Sequence, residues 1–141
     1  MGESTCEKLA GLIFNALMPD FKIEGLLDAG GNPRVILRLI GSRGEKSIRF
    51  VVDTGFTGSL AISPDDIDEL GLEQVGVGIQ SDVDGQVQRV PVYGGAVLLW
   101  AGRLESVVVF PASGDPLLGM DLLEHALIEF QGKGQTFRIS I

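Results

Sequence analysis

Asp53, Thr54 and Gly55 are the residues whose types and spacing best suit chemistry, because they follow without a break on the apolar run Ile48-Arg49-Phe50-Val51-Val52. A carboxylate at the exit of a hydrophobic strand is expensive to desolvate unless it is paired or hydrogen-bonded. Its neighbours each suit one task. Glycine lets the chain turn with its backbone N–H groups close to the carboxylate, and a threonine hydroxyl both donates and accepts inside a tight loop. The chemistry in reach is proton transfer. Hydrolysis of a peptide bond by acid–base chemistry needs two carboxylates, one taking a proton from water and one giving a proton to the carbonyl, and two held that close share a proton. The 141 residues contain no second Asp-Thr-Gly or Asp-Ser-Gly. The simplest completion is a two-fold axis between two copies of the same loop, which makes a homodimer part of the catalytic machinery.

The elements that must hold this loop read as β-strands. Val35, Leu37 and Leu39 alternate with Arg34 and Arg38, Ile48, Phe50 and Val52 alternate with Ser47 and Arg49, and Gly41-Ser42-Arg43-Gly44 turns one run into the other. Further strands are expected at 74–80, 86–93, 96–100, 104–110, 126–130 and 135–141, separated by glycine-bearing turns at Asp84-Gly85, Ala101-Gly102 and Gly132-Lys133-Gly134. Short strands at this density predict an all-β barrel or sandwich. Two short helices interrupt them. Ser63-Pro64-Asp65-Asp66 supplies a capping hydroxyl, a proline at the first helical position and two carboxylates at the positive end of the dipole, and Gly71 supplies the stop, so a helix is expected over Pro64–Leu70. A weaker helix is expected from Met120 to about His125. Residues 1–24 differ from the rest: Leu9, Leu12, Ile13, Ala16 and Leu17 recur at helical spacing before Pro19, which predicts a short helical extension ahead of a domain spanning 25–141.

Taken together, three segments are similar to a retropepsin-like aspartic protease of the small bacterial kind. Phe50-Val51-Val52-Asp53-Thr54-Gly55-Phe56-Thr57-Gly58 resembles the active-site loop, the hairpin from about Val75 to Val92 tipped by Ser81-Asp82-Val83-Asp84-Gly85 stands where the family carries its flap, and Pro116-Leu117-Leu118-Gly119 resembles the segment packed behind the catalytic loop. The resemblance implies a closed antiparallel barrel that dimerises, with a peptide or protein substrate in the groove between protomers. Asp53 of each protomer would hold the attacking water, Thr54 would cross the axis, and Gly55 would offer its backbone to the peptide. Phe56, Thr57 and Gly58, with Asp82, Val83, Asp84 and Gly85 of the flap, would bind substrate, and the last two strands would lie near the dimer interface. The chain departs from the viral pattern at Thr57 and Met120, where viral relatives carry an acidic residue and an arginine. Both ends of that charged contact change together.

The remaining composition narrows the function classes. Nineteen acidic against eleven basic residues give a formal charge of −8, which repels phosphate backbones and argues against a nucleic-acid partner. One cysteine and one histidine supply neither an internal disulfide nor a clustered zinc ligand set, and no metal or organic cofactor is expected. No apolar run reaches the ~18 residues of a membrane span, and the start of the chain is not that of a secretory signal, so a cytoplasmic location is the expectation. His125 lacks the nucleophile elbow that would pair it with a serine such as Ser59. Asp115 and Asp121, flanking the Leu-Leu-Gly segment, read as turn and helix-start residues. The competing reading is a non-catalytic peptide-binding or dimerisation module on the same fold, holding a peptide strand by β-augmentation.

Overall fold

The computed structural model describes residues 21–81, 84–131 and 135–141. The expected helix at 9–17, Asp82 and Val83 of the hairpin tip, and the turn at 132–134 lie outside the described residues. The strands run β1 (Lys22–Leu27), β2 (Pro33–Gly41), β3 (Gly44–Val52), β4 (Leu60–Ile62), β5 (Glu73–Ser81), β6 (Val87–Trp100), β7 (Arg103–Pro111), β8 (Leu117–Leu118), β9 (Leu127–Gln131) and β10 (Thr136–Ser140). Helix α1 (Pro64–Leu70) stands between β4 and β5, and α2 (Met120–Leu123) follows β8.

Neighbouring strands run β6–β7–β4–β8–β3–β2, and a further pairing of β2 with β6, through Leu39 with Leu98 and Ile40 with Val97, closes these six into a barrel. The fold is therefore the closed all-β barrel that the resemblance implies, with the two short helices expected from sequence. Its ladders are not wholly antiparallel, because β3 pairs parallel with β8 and β4 parallel with β7. Period-two alternation sends Val35, Leu37 and Leu39 of β2, Ile48, Phe50 and Val52 of β3, and Leu98 and Trp100 of β6 into one core. Outside the ring, β5 continues the sheet from β6 as a projecting hairpin, and β1, β10 and β9 continue it from β2.

Two expected boundaries shift. β1 begins at Lys22, three residues ahead of the expected domain start at Gly25, and pairs along its length with β10. The strands expected at 86–93 and 96–100 form one, β6, because Gly94 and Gly95 make a bulge instead of a turn: Tyr93 pairs with Val109 and Ala96 with Val107, with one extra residue on the β6 side and Gly95 at φ +80°. α1 takes the predicted residues, with Ser63 Oγ accepting from the Asp66 N–H at 3.2 Å and Gly71 at φ 70° closing the helix.

Candidate active site

The two-residue strand β8 builds the site. It lies between β3 and β4, parallel to the first and antiparallel to the second. The Val51 N–H donates to Pro116 O at 2.8 Å and the Asp53 N–H to Leu118 O at 2.9 Å, which fixes the strand exit from which Asp53 emerges. Beyond it the chain turns at once: the Phe56 N–H donates to Asp53 O at 3.2 Å, and the Gly55 N–H donates to the carboxylate itself, Asp53 Oδ1, at 2.9 Å. The loop is held from its other end too. Gly119 donates to Ser59 O at 2.9 Å, Met120 to Phe56 O at 2.8 Å and Asp121 to Gly58 O at 3.3 Å, so the turn into α2 is knitted to residues 56–59. A methyl group on Gly119 would overlap the Gly58 carbonyl oxygen and the Phe56 ring, so that crossing admits only glycine.

The side chains complete the clamp. Buried Ser59 donates its hydroxyl to Asp121 Oδ2. The serine–histidine pairing considered for His125 is not formed, and Asp121 does more than start a helix, since it ties α2 to the end of the Asp53 loop. Phe56 meets Phe110 of β7 edge to face, with centroids 5.8 Å apart and ring planes at 89°.

Asp53, Gly55, Phe56, Thr57 and Gly58 all line one cleft of about 810 Å³, a size suited to a substantial ligand. Thr54 sits beside it, exposed and without a side-chain hydrogen bond among the described residues. From the hairpin the cleft is lined by Ile79, Gln80 and Ser81 of β5, while Asp84 and Gly85 stand at the hairpin tip and do not line it. The remaining wall comes from Ala61, Leu117 and the stretch 110–115. No site residue is expected from sequence in this last stretch, although Pro111-Ala112-Ser113-Gly114-Asp115-Pro116 carries a loop signal directly before Leu117-Leu118-Gly119.

Asp115, read from sequence as a turn residue, therefore faces the same space as Asp53. Its Oδ1 lies 3.3 Å from Arg34 Nη2, and Arg34 Nε donates to Asp28 Oδ2 at 2.7 Å. Asp28 also accepts from the backbone of Asn32 and Gly30. The Arg34 guanidinium is the largest cause holding the Asp28 carboxyl down at about 2, with those backbone donors adding to it, and in return Asp28 raises Arg34 above its ordinary value.

With the barrel, the threaded strand β8 and the flanking hairpin in place, the comparison with solved structures is decisive for the architecture. The chain is similar to a retropepsin-like aspartic protease from Rickettsia conorii seen in a crystal structure, at a TM-score of 0.57 and 17% sequence identity, over 86% of this chain and 92% of the other. The fold is retropepsin-like. No protein-family model and no curated protein matches the sequence. Among the described residues, no helix is long and apolar enough to cross a membrane.

Proposed function

We propose that the chain is an aspartic endopeptidase that works as a homodimer, with a water activated between two Asp53 carboxylates. The observation that carries this reading is the setting of Asp53. Its carboxylate takes a single side-chain hydrogen bond among the described residues, from the Gly55 N–H, and lines the cleft shared with the hairpin strand β5.

One Asp-Thr-Gly loop per chain suits a symmetric dyad, in which repulsion between like charges leaves one proton shared by two groups. The ionised member takes a proton from water as the oxygen adds to the peptide carbonyl, and the protonated member gives its proton to the carbonyl oxygen. Return of a proton to the leaving amine then completes cleavage without a covalent intermediate. Thr54, exposed and without a side-chain hydrogen bond among the described residues, is suited to bond across the two-fold axis. The peptide would lie extended along the cleft, with backbone groups at Gly55 and Gly58 and on β5 pairing to it as strands do.

The test is cleavage of a diverse peptide mixture from acidic to neutral pH, read by mass spectrometry, with sedimentation over a concentration series alongside. The expected result is cuts by the wild type, none by a folded Asp53→Asn chain, and activity that tracks the dimer. Cuts that persist in Asp53→Asn, or full activity in a strict monomer, would overturn the mechanism. A folded dimer that makes no cuts would make the cleft a peptide-holding groove.

A further inference from the structure

Two charged side chains line the cleft among the described residues, Asp53 and Asp115, and both are carboxylates. If Asp53 serves the reaction, Asp115 has another use. Its side chain is 59% exposed, and its partner among the described residues is Arg34, at 3.3 Å. Arg34 is bound more closely elsewhere, since its Nε sits 2.7 Å from Asp28 Oδ2 and both of those side chains are less than one-fifth exposed, at 17% and 19%. One guanidinium thus stands between two carboxylates. The group keeps a net negative charge, and the Asp115 end of it is the accessible one.

A carboxylate offers about four lone-pair positions, so a single ion pair leaves Asp115 with acceptor capacity toward the cleft. Phe56, Phe110, Ile79 and Leu117 line the same space. Apolar walls with a carboxylate at one edge suit a long side chain with a hydrocarbon stem and a cationic head, which buries the stem and leaves the charge at the polar edge. The Phe56 and Phe110 rings add an electrostatic attraction for a cation. The formal charge of −8 on the chain acts in the same direction at longer range.

We propose that Asp115 makes the cleft selective for peptides carrying a lysine or arginine side chain within the stretch that occupies it. This rests on the reading of the cleft as the peptide site.

The experiment has two arms. In the first, a diverse peptide mixture is cut by the wild type and by Asp115→Asn, and residues around each cut are counted. In the second, the Asp53→Asn chain and the double variant Asp53→Asn, Asp115→Asn are immobilised and the retained peptides sequenced. The expected result is enrichment of lysine and arginine with the wild type, falling roughly five- to tenfold in Asp115→Asn, and the same contrast among retained peptides, weakened by added salt. Asp53-dependent cuts without basic enrichment, or with enrichment that survives Asp115→Asn, overturn the inference and leave the endopeptidase reading standing. Absence of cuts together with Asp115-dependent retention of basic peptides does the reverse, while absence of both removes both.

Discussion

Phe56 and Phe110 join the Asp53 loop to the strand behind the hairpin. The Phe56 ring stands edge-on to Phe110 at 5.8 Å, and the Phe110 ring lies against Gly78 of β5, where an added methyl would come within 2.6 Å of it. The loop that carries Asp53 and the hairpin that borders its cleft therefore press on the same ring.

A double-mutant cycle on Phe56→Leu and Phe110→Leu should give a coupling of about 1 kcal/mol, the usual worth of an edge-to-face pair beyond its buried area. Phe110→Leu alone should also speed amide exchange along β5. Denaturant unfolding measures the first effect and hydrogen exchange the second; additive single variants would mean that the rings do not act together.

Gly119→Ala should destabilise the fold by about 3 kcal/mol and lower Tm by on the order of 10 °C, since the new methyl meets the backbone oxygens of Gly58 and Phe56 and neither can retreat without opening the loop. Thermal unfolding of the variant is the check. A wild-type Tm would show that the crossing is looser than the contacts imply.

Ser59→Ala should cost about 1 kcal/mol, because it removes a hydrogen bond to Asp121, an exposed residue whose carboxylate water can then solvate. Asp121→Asn, which keeps an acceptor for the Ser59 hydroxyl, should cost less than Asp121→Ala. Urea midpoints of the three variants test that order.

Stability should depend on Asp28 in acid. Its carboxyl is held at about 2 in the folded protein, below its ordinary 3.8, so the folded state binds its proton less readily than the unfolded chain does. The contribution is fully present above about pH 4 and is lost as pH falls through about 2. Asp28→Asn should thus lower Tm at neutral pH, with the gap to wild type closing between about pH 4 and pH 2. A gap of constant size over that range would sink the assignment to charge.

How far these features can be read from sequence depends on where the signal for each resides. The β2–β3 hairpin and α1 carry theirs locally, as strict alternation around Gly41–Gly44 and as Ser63, Pro64 and Gly71 at the helix ends, and both form where expected. Asp53, Gly55, Phe56, Thr57 and Gly58 are brought together for a similar reason: they are contiguous, so one loop delivers them all. β4 and β8, three and two residues long, have no periodicity to detect and become strands only because distant segments pair with them. β1 is disguised by Gly25 at its centre, where a side chain would collide with the Phe137 ring across the sheet. Asp115 was legible as a turn residue but not as a wall of the cleft, since its place depends on β8 threading between β3 and β4.

That threading also sets an order of assembly. Ser59 and Asp121 are 62 residues apart, and Leu117–Leu118 must emerge before the strand exit at Val52 and Asp53 has anything to pair with. A chain still leaving the ribosome, or one truncated ahead of β8, holds the Asp-Thr-Gly triplet without the strand that pairs with its exit. On the proposed endopeptidase reading, the acid–base apparatus would be deferred until synthesis of the barrel is nearly complete, and the nascent chain would be spared from cutting itself or its neighbours during translation.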